Sequence, residues 1–238
     1  DATIKNIQPT ISITVAAVIK IANTVSNITI NGITVDANDK SIAFTCQLNN
    51  KITFNDCVAI NCRNAGFNCY LSNDISYINC KSYNVKYYAA GAGMPADAFY
   101  TGGSNDISYI NCWAENFQRI GFVSDSEGSV KSNRIKYIGC TAKNANNCDI
   151  STTEFNAGFW AENTNNCIID KCYLYDIAGN QGQTSGRVRG IELAAGESEK
   201  STMIVTNTII GDSSGTIPMG IFIAGSNGLK SEIGRAHV

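Results

Sequence analysis

The nine-residue stretch SNDISYINC occurs twice, at Ser72–Cys80 and again at Ser104–Cys112. An internal repeat constrains the fold more than any other sequence feature, because each copy must build the same supersecondary unit. The repeat spreads well beyond these nine residues. With Ile75 aligned on Ile107, five further segments fall into register through Ile28, Ile52, Ile135, Cys167 and Met203. Two residues on, the column reads Ile30, Phe54, Tyr77, Tyr109, Tyr137, Ile169, Val205. Three further on it reads Ile33, Cys57, Cys80, Cys112, Cys140, Cys172, Thr208. Two more give Val35, Ala59, Ser82, Ala114, Ala142, Leu174, Ile210. The intervals are 24, 23, 32, 28, 32 and 36 residues. A fixed motif with elastic spacing puts the insertions in loops.

Apolar residues alternate inside each motif, which predicts a strand with one buried face. A polar column precedes the motif (Ser26, Asn50, Asn73, Asn105, Asn133, Asn165, Ser201), and an Asn or Asp follows it at Asn61, Asn84, Asn116, Asn144, Asp176 and Asp212. Asn tolerates left-handed backbone, so this second column predicts a turn. A third short strand then opens on a small residue and a large apolar one: Gly66-Phe67, Ala98-Phe99, Gly121-Phe122, Gly158-Phe159, Gly190-Ile191, Gly220-Ile221. Each repeat therefore reads as strand, bend, strand, Asn turn, strand, turn. Strands at this spacing pair with their counterparts in the next repeat. The product is an all-β parallel solenoid of about seven to eight coils, each with three short strands and each ~4.8 Å above the last. Seven coils stand roughly 34 Å tall. The segment ISITVAAVIKIAN reads as one more, worn coil.

This pattern resembles the right-handed parallel β-helix of the pectin-lyase-like superfamily, to which pectate lyases, polygalacturonases and many phage tailspikes belong. The resemblance covers about residues 11–228. It implies a fold and leaves the chemistry open. The polygalacturonase signatures are not met. Arg134-Ile135-Lys136 lies in a repeat's own first strand, and the paired Asp and Gly-His-Gly are missing. The acidic cluster with an Arg base that pectate lyases use for calcium is not evident either. A tailspike-like glycosidase that works with carboxylates alone fits the resemblance.

Composition narrows the partners. The formal net charge is −2 and there is no basic run, which argues against nucleic acid. No apolar run approaches the ~20 residues that span a bilayer. The ten cysteines fall mostly into inward columns, Cys57 to Cys172 in one and Cys46 with Cys69 in another. In-register side chains point the same way and suit the S–S torsion poorly, so a reduced, packed column is expected rather than disulfides or zinc. Cys62 and Cys148 fall at predicted turns and are expected to be exposed.

The last residues read SEIGRAHV. Codons permitted by EIGRAHV reproduce the start of a common sequencing-library adapter. The expectation is a β-helix domain over 1–230, part of a longer protein, and a non-native segment over 231–238. The only histidine, His237, lies in that segment, so any mechanism must do without histidine.

Loop length locates the functional face. Long excursions, VKYYAAGAGMPADA, ANNCDISTTEFNAG and IAGNQGQTSGRVRG, flank a coil that carries only FQRIG. That pattern predicts a notch in the side of a rod, and loops on rigid scaffolds carry function. The third strands form its floor. Their outward columns read Asn68, Tyr100, Val123, Trp160, Glu192, Phe222 and Tyr70, Gly102, Asp125, Glu162, Ala194, Ala224. The candidate catalytic residues are the exposed carboxyls Asp125, Glu162 and Glu192. Tyr100 and Trp160 are candidate platforms for a sugar ring, and Arg187 and Arg189 candidates for holding an acidic sugar. Neighbouring coils put Asp125 and Glu162 about 5 Å apart and Glu192 roughly 8 Å from Glu162, which spans the retaining and inverting spacings.

The expected function is binding or cleavage of a polysaccharide without metal or cofactor. The location implied is extracellular or virion-surface, with a homotrimer if the chain is a tailspike. The competing reading is a non-catalytic stalk or adhesin. Ice binding wants a flat Thr array. The outward column Thr29, Thr53, Ser76, Ser108, Lys136, Ile168, Ile204 loses Thr after two coils.

Overall fold

The computed structural model describes residues 2–5, 17–87, 96–145, 156–177, 188–195, 202–211, 219–225 and 230–233. They form a right-handed parallel β-helix of three eight-stranded sheets, every strand pairing with the same strand of the next coil. One full coil shows the plan. Asn73–Ile78 lies in the first sheet, Lys81–Lys86 in the second and Asp97–Gly102 in the third. The chain then returns to the first sheet at Asn105–Ile110. The worn coil supplies Ala17–Lys20 to the third sheet, and Ala2–Lys5 extends the second sheet by one further strand. Among the described residues no helix is long and apolar enough to cross a membrane.

The register is the one the repeat predicts. Ile75 pairs with Ile52 and Ile107, Tyr77 with Phe54 and Tyr109, and Ser82 with Ala59 and Ala114. Two aromatic stacks run up the core. Phe44, Phe67, Phe99, Phe122 and Phe159 stack at 4.7–4.9 Å. Phe54, Tyr77, Tyr109 and Tyr137 stack at 4.8–5.1 Å. Both spacings match the ~4.8 Å separation of strands. The two stacks meet edge to face, so each ring has both offset-stacked and T-shaped neighbours, the two favoured aromatic geometries.

Left-handed residues shape every coil, at the corners and within strands. Leu71, Asp74, Asn79 and Asn84 have φ of 47, 55, 52 and 57° within one coil, and the same positions recur in the others. The expected Asn turn differs in detail. Asn61, Asn84, Asn116, Asn144 and Asp176 lie inside the second-sheet strands, where one left-handed residue shifts the inward–outward alternation. The residue after each, Cys62, Val85, Phe117, Ala145 or Ile177, therefore points inward. This corrects the expectation for Cys62, which is fully buried rather than exposed at a turn. Cys148 lies outside the described residues.

The nine described cysteines are buried and unbridged. Those at the bend act as donors. Cys80 Sγ donates towards Ile78 O in its own coil at 3.5 Å and Phe54 O in the coil below at 3.3 Å, and Cys112 and Cys140 repeat the arrangement. Thr208 continues the column with a hydroxyl that donates to Thr206 O at 2.9 Å. A second buried column, Ser72, Ser104, Ser132, Thr164, secures the turn between third and first sheets. Each hydroxyl donates to a carbonyl of the preceding third-sheet strand, and Ser104 and Ser132 also accept the backbone N–H of the coil below.

The ladder runs across the boundary expected at residue 230. Thr202–Val205 pairs in register with Lys230–Ile233, so Glu232 and Ile233 continue the first sheet. Ladder bonds are made by the main chain, so an open sheet edge accepts extended backbone whatever its side chains.

Candidate functional site

The first outward column of the third sheet is paired as the sequence predicts, and the second is paired below Asp125 and above Glu162, the ladder between their strands running from Ile120–Ala157 to Ser124–Ala161. Asn68, Tyr100, Val123, Trp160, Glu192 and Phe222 occupy one register position on successive coils. Gly102 pairs with Tyr70 and Asp125, and Glu162 with Ala194. Narrow packing against the second sheet fixes this strand. A Cβ on Gly121 would lie 2.7 Å from Gly158 O, and one on Gly158 would lie 2.3 Å from Leu174 Cδ2.

This face is far less open than its outward parity implies. Trp160 is 5% exposed and Glu192 4%. Trp160 packs with Ile120, Val123, Ala157 and Tyr100 in an apolar cluster separate from the core. The Arg119 guanidinium sits 5.8 Å from the Trp160 ring. The expected sugar platform is thus an occupied ring, and its N–H donates to Glu162 Oε2 at 3.1 Å. Tyr100 is half-buried and meets Tyr70 at 5.3 Å.

The three carboxyls differ in setting. Glu162 is half-buried. Burial pushes its pKa above the usual carboxylate range, the negative charge of Asp125 pushes the same way, and the Trp160 N–H and Arg119 oppose them. Asp125 is half-buried and accepts from Ser126 N at 2.6 Å and Asn163 Nδ2 at 3.2 Å. Glu192 forms a buried ion pair with Arg189 three residues earlier in its own strand. Burial still raises the Glu192 pKa, against the opposing bond and charge of Arg189. Arg189 also lies 3.7 Å above the Phe222 ring. Glu192 is therefore not the exposed carboxylate expected, and Arg189 is bound to it. Arg187 and the three long excursions, over 88–95, 146–155 and 178–187, lie outside the described residues.

Two residues here escaped the sequence reading. Asp97 is fully buried, and Arg119 reaches its Oδ2 at 2.9 Å. Arg119 belongs to the short FQRIG connection, and its proximity to Asp97 follows only once the third-sheet register is known. A further signal lay in plain sight: the tetrapeptide WAEN occurs at Trp113–Asn116 and again at Trp160–Asn163. In both copies the indole N–H bonds the Glu two residues on. Among the described residues no three His, Cys, Asp or Glu side chains converge as metal ligands do.

No protein-family model matches this chain, and no curated protein matches it. Solved structures do. ORF18 of Geobacillus virus E2 superposes with a TM-score of 0.54 at 13% identity, over 88% of this chain and 43% of its own. This chain therefore spans less than half the length of that viral protein. The Dettilon tailspike protein gives a TM-score of 0.38 at 11% identity, over 86% of this chain and 38% of its own. The Streptococcus pneumoniae surface adhesin PfbA gives 0.35 at 10% identity, over 96% and 78%. At such identities the likeness speaks for fold alone, and the fold is a right-handed parallel β-helix.

Proposed function

We propose that the chain handles polysaccharide on the outer flank of its third sheet and cleaves a glycosidic bond there by acid–base chemistry. One observation carries this reading. Glu162 is a half-buried carboxyl with a raised pKa, one coil from Asp125, whose charge contributes to the raising. Glycoside cleavage needs two carboxyls in contrasting environments, one of them held as the acid. Neighbouring coils are ~4.8 Å apart, close to the ~5–5.5 Å carboxyl separation of retaining enzymes.

Glu162 then protonates the departing glycosidic oxygen while Asp125 bonds to the anomeric carbon. A water hydrolyses the resulting ester, giving its proton to Glu162 and its hydroxyl to the sugar, and both carboxyls return to their starting states. Trp160 positions Glu162 and keeps water from one side of it. Glu192 and Arg189 serve as a paired charge beneath the site. An extracellular or virion-surface setting, as a homotrimer if tailspike-like, suits such a protein. The burial of Trp160 and Glu192 favours a second reading, a non-catalytic stalk or adhesin.

The deciding experiment follows new reducing ends from a panel of polysaccharides. Turnover by the wild type that Glu162→Gln and Asp125→Asn each abolish supports cleavage. Binding without turnover, or turnover indifferent to both changes, rejects it in favour of the second reading.

A further inference from the structure

We propose that this flank takes a glycan free of acidic groups, so that uronic-acid polymers are not its ligands; the inference rests on the polysaccharide reading above. The argument is a charge count at fixed positions. Asp97, Asp125, Glu162 and Glu192 all belong to third-sheet strands on successive coils. Glu127 adds a fifth carboxyl, since a Cβ on Gly102, the column neighbour of Asp125, would lie 3.3 Å from Glu127 Oε2. The same Cβ would lie 3.0 Å from Tyr100 Cε1, so Glu127 and Tyr100 lean over one glycine.

Against these five carboxyls the described flank sets three cations, Arg119, Arg189 and Lys131, and each is engaged. Arg119 holds Asp97, and Arg189 holds Glu192. The carboxylates beyond the two arginine pairs are Asp125 and Glu127, with Glu162 held as the acid. Tyr100 registers the crowding: burial raises its pKa most, and Tyr70, Asp125, Asp97 and Glu127 each add to the rise. The sequence of the three long excursions does not redress the balance. Residues 88–95 carry no charge, 146–155 carry Asp149 and Glu154, and 178–187 carry Arg187 alone.

A polyuronate brings one carboxylate per sugar, and like charges within a Debye length of ~10 Å repel at ordinary ionic strength. Recognition of a carboxylate needs a guanidinium fork with donors to spare. Here the two described guanidiniums meet carboxylates of the protein itself. A neutral sugar asks only for hydroxyl partners, which carboxylates supply as acceptors.

The test is affinity electrophoresis of the full chain in gels carrying one polymer each. Dextran, galactomannan and xylan represent neutral glycans, and polygalacturonate and alginate represent polyuronates. Runs are made at low and at high salt, with Glu127→Lys beside the wild type. Glu127 has no part in the proposed chemistry, and circular dichroism checks that the variant folds. The expected result is retardation by a neutral polymer that salt leaves unchanged, none by polyuronates, and a gain of polyuronate affinity of about tenfold in Glu127→Lys. Retardation of the wild type by a polyuronate, relieved by salt, overturns this inference and leaves the polysaccharide reading standing. Retardation by no polymer of either class overturns the polysaccharide reading, and this inference with it.

Discussion

The indole N–H of Trp160 donates to Glu162 Oε2 at 3.1 Å, from a strand position two residues before it. That bond favours the ionised carboxyl, while burial and Asp125 favour the protonated one. Trp160→Phe keeps most of the packing and removes only the donor. The raised pKa of Glu162 then rises further. If Glu162 is the acid, the alkaline limb of the pH–rate profile moves to higher pH in this variant. A profile that keeps its limbs, with activity merely scaled down, would make Trp160 a packing residue only.

The same carboxyl sets a stability prediction. The folded pKa of Glu162 lies above its unfolded value, so its stabilising contribution is complete below the unfolded pKa. It is lost as pH rises through the folded pKa. Glu162→Gln should therefore raise the melting temperature more at pH 7 than at pH 4. Glu192→Gln should do the reverse of stabilising. It leaves the buried Arg189 guanidinium without its carboxylate, a change that costs about 3–5 kcal/mol. Equal melting temperatures for the two variants at pH 7 would contradict the different settings described for these carboxyls.

Most of the fold was legible because the repeat encodes register directly. Once Ile75 is set on Ile107, backbone pairing forces every later column, and the aromatic stacks follow. What stayed hidden was conformation at single residues. Nothing in the letters of Asn84 or Asn116 says whether a left-handed residue ends a strand or sits within it. That difference decided whether Cys62 faced in or out. The hydroxyl column beginning at Ser72 was likewise missed, although it supplies the first letter of the repeated stretch. At the candidate site, parity gave the column through Val123, Trp160 and Glu192 but not its burial. The exposure of Trp160 and Glu192 depends on Arg119 and Arg189, whose reach is not written in the strand period.

The aromatic stack predicts a large penalty at its middle. Tyr109 lies between Tyr77 at 4.8 Å and Tyr137 at 5.0 Å, and its hydroxyl bonds Thr101. Tyr109→Ala should lower the unfolding free energy in urea by roughly 3–5 kcal/mol, as large aromatic deletions in cores do. Tyr109→Phe should cost only about 1 kcal/mol, the scale of one hydrogen bond. A loss below ~1 kcal/mol for the alanine variant would place the ring outside the packed core.

The bend cysteines should prefer a donor to an apolar isostere. Cys112 Sγ faces Tyr77 O and Ile110 O, and Thr208 already fills the same column with a hydroxyl. Cys112→Thr should therefore retain more stability than Cys112→Val, by about 1 kcal/mol. The thiols should also be inert. Burial pushes the Cys167 thiol up to about 12, whereas at Cys80, against the opposing burial, hydrogen bonding with Cys112 and Cys57 pulls the thiol down to about 5, so the protection of the column rests on its inaccessibility. A thiol reagent at pH 8 should leave the nine described cysteines unmodified until denaturant is added. Rapid native labelling of Cys80 or Cys112 would count against the buried column.

Asn116 separates two contributions that the left-handed residues of the second-sheet strands combine. Its Nδ2 donates to Asn84 Oδ1 at 3.1 Å, and its Oδ1 accepts from Asn144 Nδ2 at 2.6 Å. The chain of amides continues down through Asn61 to the carboxylate of Asp36, which can only accept and so fixes the direction of every bond above it. The φ of Asn116 is 58°, in the region that Gly enters freely and Ala only at ~1–2 kcal/mol. Asn116→Gly thus removes the amide bonds while sparing the backbone, and Asn116→Ala adds the strain. The glycine variant should lose about 1–3 kcal/mol for two hydrogen bonds. The alanine variant should lose a further ~1–2 kcal/mol. An alanine variant as stable as the glycine one would mean that this strand residue is not held left-handed, and the strand alternation described for the second sheet would fail with it.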